Sequence, residues 1–506
     1  MILLFFLQLG KNGDLTIRSH GVLIYPYLYC SIKTKGGVTM KKIILACSWI
    51  ILMMMSACSD WVDVSPNTDV KSEDLFTSES GFKSALIGIY GRMTDQSLYG
   101  GHMTFNFMEK LVQRYDNNND SDDVRAKIYD YKNQSDPKNT LASIWSAMYQ
   151  DIANINSLLT YLETNGHYIT TEGYWEMIKG EALGLRAFHY FDLLRMWGPI
   201  YVQDSTAKAV PFRDKFNSDK VAPMAANELA HKILDDLREA EKLLKNDKVN
   251  WAYKFDEPFV GERGYRMNKY AVKALMARVY LWMGNKTMAA AYARSVINEC
   301  GLSLVRDNQT DVSMHDETLF GLSMYNMSEK LNSYWKTALP FNNQLWISDN
   351  NRTTVFESMT CGINDIRYKN GFGFIHGDNQ NMCRKYLGEN TFYDENIPLI
   401  RLSEMYYILA ESVSLEESVE YINKVRNTRG ISRTYDIIYG SNYTDVERRE
   451  ALLKEYQKEF FAEGQFFYFL KRHNYETFYR CPVAKMVYYV FPIPDDEVEF
   501  GSMTGE

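Results

Sequence analysis

The chain of 506 residues carries 56 Lys and Arg against 64 Asp and Glu, a formal net charge of -8. That balance argues against nucleic acid as the main partner, because phosphate binding needs a basic surface. Hydrophobic residues at 46% and charged residues at 24% exclude wholesale disorder. Tyr stands out at 36 residues, and a ring with a polar tip suits a wet recognition surface.

Met40-Lys41-Lys42, the apolar run Ile43 to Met55 and then Ser56-Ala57-Cys58 describe an export signal. The run is short for a membrane-spanning helix, which needs about 20 residues. Cys58 after Ser56-Ala57 resembles a bacterial lipobox, with Met55 where Leu is usual, and this resemblance implies that Cys58 is lipidated. Asp60 stands third after the cut rather than second, so the common inner-membrane retention signal is absent. Residues 1–39 then read as sequence upstream of a start called too early, 40–57 as signal peptide and 58–506 as one mature domain. Cys300, Cys361, Cys383 and Cys481 show no C-x-x-C spacing, which removes zinc and thioredoxin readings and favours thiols over an assignable pairing.

Helical stripes follow. Phe82, Leu86, Ile89 and Met93 share one face, and Leu141 to Leu162 recur at steps of three and four up to Gly166. A helix is expected from Thr171 to Trp197 and another along Leu229 to Leu244. Pairs are expected at 270–283 with 287–298, and at 399–411 with 416–426. Thr444-x-x-Glu447 is a capping box, opening a last helix that runs to about His473. Ala277, Tyr280, Gly284 and Ala289 match tetratricopeptide offsets, as do Ala187, Phe191 and Pro199 for half of another copy. Helix pairs packed as a repeat-like scaffold are therefore expected over 70–300 and 397–480.

Helical periodicity stops at 302–396, where Asn, Asp, Gly and aromatics rise and Glu317 to Leu322 reads as a short strand. Residues 99–137 form a second such segment. Long irregular segments on a rigid scaffold commonly carry binding residues. No Gly-x-Ser-x-Gly, His-Glu-x-x-His or Walker loop is present, while a glycosidase carboxylate pair stays open on composition. His189 lies within a helix stripe and reads as packed. Asp116 to Asp123 has the composition of a calcium loop, but Ser121 and Lys127 replace its Gly and Glu. No metal or cofactor is expected.

Blocks in order along the chain resemble the SusD/RagB family of outer-membrane lipoproteins of Bacteroidota. They are Gly180 to Arg195 with Trp197-Gly198-Pro199, Ile397 to Met405 with Ala410-Glu411, Asn423 to Arg426, Glu459 with Glu463-Gly464, and Pro492-Ile493-Pro494. The family usually has Arg two residues after the Glu-Gly and Asp three later; Phe466 and Phe469 stand there, which reads as a repacked core. The resemblance implies a mainly α, SusD-like helical scaffold with tetratricopeptide-like helix pairs and a long irregular, partly β insertion. It implies a surface lipoprotein without catalysis, capturing oligosaccharides or peptides for a SusC-like TonB-dependent transporter. Stacking rings flanked by amides and carboxylates suit sugars, and the candidates are Trp335, Trp346, Tyr334, Asn343, Tyr368 and Tyr99. Asn342, Asn350, Phe372 and Asp116 stand beside them in sequence. The alternatives are a helical-repeat scaffold binding another protein, or a secreted glycosidase.

Overall fold

The computed structural model describes residues 5–9, 15–19 and 72–501, apart from 117–120, 132–135, 253–255, 307–310, 336–344, 378–379, 388–394 and 483–485. The export signal, Cys58 and Asn343 lie outside the described residues. The chain divides into a unit over Met1–Lys71 and one over Ser72–Glu506. In the first, Phe5–Leu9 pairs antiparallel with Leu15–Ser19. Among the described residues no helix is long and apolar enough to cross a membrane.

The second unit is mainly helical. Helices α1 (Glu79–Met93), α2 (Asp136–Asn165), α3 (Tyr174–Trp197) and α4 (Ala226–Leu243) precede the pair α5 (Lys269–Trp282) and α6 (Lys286–Glu299). The short α7 (Asp349–Val355) follows, then α8 (Leu402–Ser412), α9 (Leu415–Thr428), α10 (Asp445–Glu459) and α11 (Gln465–Arg472). From α2 to α6 each helix packs on the next, and α6 packs on α8, which packs on α9. Such nearest-neighbour stacking lets helices with one apolar stripe bury it in series. The α5–α6 turn uses Gly284 at φ +78, and Ala277 and Ala289 are fully buried. Small side chains there let the helix axes approach closely, as the repeat offsets predict.

Because α6 and α8 are packing neighbours, the residues between them leave the stack and return to it. Within them β1 (Thr318–Ser323) pairs antiparallel with β5 (Asn396–Arg401), closing the excursion at its base. Strands β2 (Trp346–Ile347), β3 (Phe374–Gly377) and β4 (Gln380–Cys383) form a small sheet with β4 in the middle.

Most helix ends fall within two residues of the sequence reading, and three boundaries shift for a reason the structure shows. The helix expected from Leu399 begins at Leu402, because residues up to Arg401 are held by β1. The helix expected from Thr171 begins at Tyr174, after Gly173 at φ +80. The last helix opens on the predicted Thr444–Glu447 capping box but does not run on to His473. It breaks at Phe460–Gly464, where Ala462 and Gly464 take left-handed backbone and donate their N–H groups to the carboxylate of Glu109, at 3.1 and 2.9 Å. A side chain at Gly464 would strike the Met103 carbonyl oxygen, at 2.2 Å.

Phe466 and Phe469 are buried and stacked on each other. The Arg114 guanidinium lies 4.6 Å from the Phe466 ring and donates to Glu109 at 3.1 Å. An aromatic face thus meets a buried cation here, consistent with repacking. His189 is fully buried, with Nδ1 2.8 Å from the Leu185 carbonyl and Nε2 3.3 Å from Asp151. No disulfide joins the four described cysteines; Cys300 and Cys383 are buried, Cys361 and Cys481 partly exposed.

Deep ion pairs pin the insertion to the helices. Glu459 of α10 accepts from Arg367 at 2.8 Å, from Arg401 at 2.6 Å and from Arg429 at 2.5 Å. Arg401 and Arg429 also reach Glu317, just before β1, at 2.5 and 2.7 Å. Burial alone would raise the Glu459 pKa, but these guanidiniums hold it well below the usual carboxylate range.

Candidate functional site

The two irregular segments predicted from sequence meet each other. Asp116, from the first, donates its backbone N–H to the Trp346 carbonyl at 2.8 Å. Its carboxylate accepts the Ser348 N–H and the Asn351 side-chain amide, each at 2.6 Å. Arg480, from the chain beyond α11, pairs with the same carboxylate at 2.6 Å, and the Tyr479 hydroxyl donates to Asn351 Oδ1 at 2.8 Å. Ser348 caps α7 through its side chain. The joint draws residues from three distant stretches of chain into one polar cluster on the backbone of Trp346.

Around it the small sheet supplies more polar groups. Buried Asn381 on β4 donates to the Ile347 carbonyl at 3.0 Å and to Asp349 at 2.9 Å, and its Oδ1 lies 2.9 Å from His376 Nδ1. His376 on β3 is exposed. Arg352 of α7 donates to Asn370 at 2.5 Å and lies 4.5 Å from the Tyr368 ring centroid. Although burial would raise the Tyr368 pKa, hydrogen bonds from Ser358, Thr353 and Arg352, with the Arg352 charge, bring it below the ordinary value.

Tyr334 forms a second junction. Its hydroxyl receives the side-chain amides of Gln96 and of Asn106, the latter at 3.4 Å. Its carbonyl accepts the Leu345 N–H at 2.9 Å, next to Trp346. His102 lies 3.4 Å from the Asn106 amide, and burial, helped by the Lys110 charge, lowers its pKa to about 4. It is therefore neutral at pH 7, a hydrogen-bonding group rather than a cation.

The candidates divide by burial. Trp346, Tyr334 and Tyr368 are half-buried within these clusters. Trp335 and Tyr99 are not so placed, which corrects the reading of them as stacking platforms. Trp335 is 3% exposed and stacked at 14° on Tyr386, while Phe105 packs 4.8 Å from it. Tyr99 is likewise 3% exposed, and its hydroxyl donates to Asp192 at 2.7 Å. Phe372 is buried and Asn350 exposed. Sequence reasoning missed Gln96, Asn106, His376, Asn381, Tyr479 and Arg480. They fall in three separate stretches, 96–106, 376–381 and 479–480, that carry no motif; Arg480, at φ +67, is distinguished only by its folded backbone.

What such a surface can do is bind: half-buried rings give apolar contact, while exposed Asn350 and His376 in the same clusters can meet hydroxyls. A family model described as "Starch-binding associating with outer membrane" matches residues 60–281, and the SusD family model matches 344–494. The SusD-like protein P38 of Formosa agariphila is 23% identical over 486 residues, covering 84% of this chain and 90% of the relative. A SusD superfamily protein of Bacteroides thetaiotaomicron superposes with a TM-score of 0.64 at 21% identity, over 84% of this chain and 98% of that one. A SusD-like carbohydrate binding protein of Bacteroides vulgatus gives 0.64 at 17% identity, over 83% and 96%. At these identities the superpositions show a shared fold. With two family matches spanning most of the helical stack, the chain belongs to the SusD/RagB family.

Proposed function

We propose that this protein is a surface lipoprotein of the outer membrane that binds oligosaccharides and hands them to a TonB-dependent transporter. The observation that carries the reading is the joint at Asp116, which brings the two irregular segments together around Trp346 and Tyr334. Rings between amides and a carboxylate form a surface suited to sugar C–H faces and hydroxyls. The family description, starch binding with outer-membrane association, supports the ligand class and the place. Lipidation at Cys58 supplies the anchor in this reading. The reading is one of binding without turnover, with the Asp116 carboxylate held by Ser348, Asn351 and Arg480 as an ordering group.

The test is a printed glycan and peptide array, followed by calorimetric titration of the strongest hit against Trp346→Ala. Loss of about 2 kcal/mol or more of binding, with melting close to the wild type, is expected for a stacking aromatic. Unchanged binding by Trp346→Ala, or peptides alone captured on the array, overturns the saccharide site as described.

A further inference from the structure

Away from these residues a cavity of about 480 Å³ opens between the α4–α5 connection and the α6–β1 connection. Its volume lies within the ~300–1,000 Å³ of ordinary small-molecule sites. Trp251, Gly264, Tyr265, Arg306, His315 and Asp316 are among its lining residues, and none of them belongs to the clusters around Trp346, Tyr334 or Tyr368.

The lining is built rather than incidental. The Trp251 indole donates to the Cys300 carbonyl at 3.0 Å and stacks on Tyr270 at 22°, so its plane is fixed while the ring stays half-buried. At Gly264 the absent side chain leaves the space beside that ring open. A β-carbon there would lie 3.6 Å from the Trp251 ring and 3.5 Å from the Thr318 carbonyl oxygen, which is ordinary contact. Tyr265 and His315 bring their rings within 5.4 Å. Buried Asp311 accepts the N–H groups of His315 and Asp316 at 2.8 and 2.9 Å and so fixes the turn that carries both. Burial lowers the His315 pKa, outweighing the Asp316 carboxylate beside it, so its ring is neutral at pH 7. Asp316 and Arg306 are exposed and opposite in charge.

We propose that this cavity is a second saccharide subsite, taking one sugar ring or the end of a chain against Trp251, with hydroxyls meeting Asp316, Arg306 and His315. Opposite charges at the lining cancel, which favours a neutral polyhydroxylated ligand over an anion. A fixed aromatic plane supplies the apolar half of the recognition. The inference takes its ligand class from the proposed function and stands on different residues. Two subsites on one molecule raise the effective affinity for chains long enough to engage both.

The test uses a printed array of neutral and acidic oligosaccharides, then calorimetric titration with the shortest one the wild type binds. The wild type should take up two equivalents. Gly264→Leu, whose β-carbon meets only ordinary contacts and whose side chain occupies the space beside the Trp251 ring, should take up one with unchanged melting. Trp346→Ala should take up the other one. If Gly264→Leu melts early, the exposed pair Arg306→Ala/Asp316→Ala decides instead, with the affinity of one equivalent falling by about tenfold, the scale of a lost charge-assisted hydrogen bond. Wild-type stoichiometry and affinity in Gly264→Leu, or in the exposed pair where that pair decides, overturns the subsite. If Trp346→Ala abolishes all binding, the second subsite falls and the first stands. If only the cavity variants lose an equivalent, the second stands and the first falls. An array on which the wild type binds nothing removes both.

Discussion

Replacing Asp116 with alanine removes one carboxylate and strands three donors: the Ser348 N–H, the Asn351 amide and the Arg480 guanidinium, all at 2.6 Å. A hydrogen bond to a charged group contributes about 1.5–3 kcal/mol. The Arg480 pair is worth less, since its side chains are 22% and 12% exposed and water replaces part of the contact. The donors are also not independent, so the whole comes to about 2–4 kcal/mol. At ~2 cal/mol/K per residue, a fold of this length loses roughly 1 °C per kcal/mol, so melting should drop by roughly 2–4 °C. Asp116→Asn keeps one acceptor oxygen and should show about half that loss. The effect on binding follows from geometry: the carboxylate fixes the turn after β2, while the Asp116 N–H that holds the Trp346 carbonyl is kept in the variant. About 1.4 kcal/mol of lost ordering is a tenfold weaker complex, measured by calorimetry with the array's best glycan. Wild-type melting and wild-type affinity in Asp116→Ala would refute the joint. A lower melting point with intact affinity would make it structural only.

Glu459→Gln should cost about 3–5 kcal/mol, because Arg367, Arg401 and Arg429 lose the charge they share in a fully buried site; denaturant unfolding within 1 kcal/mol of the wild type would count against this network. Asp311 is a pH test: burial, against the N–H bonds it accepts and with Asp316 and Glu317 adding to it, raises its pKa from 3.8 to about 6. The folded form then holds a proton that the unfolded chain has released, so stability falls as pH rises through about 4 to 6, by at most ~3 kcal/mol. Asp311→Asn lacks that slope and should gain on the wild type between pH 4 and pH 7; parallel stability profiles would contradict the assignment. Cys58→Ala should move the protein from the membrane fraction to the soluble periplasm, and persistence at the surface would show that another group anchors it.

The helices were legible because their signal is local. Apolar residues at steps of three and four mark a stripe whatever it packs against, and Thr444 with Glu447 caps a helix within its own first turn. The blocks that identified the family were legible for a related reason. Arg186, Arg195, Arg401, Glu404, Arg426 and Glu459 in those blocks are buried in ion pairs with Asp236, Asp192, Glu463, Arg278, Glu455 and Arg429. Buried charges cannot be exchanged singly without large cost, so they leave a recognisable pattern.

What the tertiary structure decided depends on partners distant in sequence. The last helix breaks at Gly464 because Glu109, some 350 residues earlier, takes its N–H. Leu399 and Ile400 carry a helical pattern yet lie in a strand because Thr318 to Ser323 runs alongside. Trp335 and Trp346 have similar surroundings in sequence, but Tyr386 covers the first and the second is left half-buried beside Asp116. Composition could mark both loop-rich segments as binding regions. Only the folded backbone could bring them to the same carboxylate, since a hydrogen bond between residues 116 and 351 leaves no periodic trace in either segment.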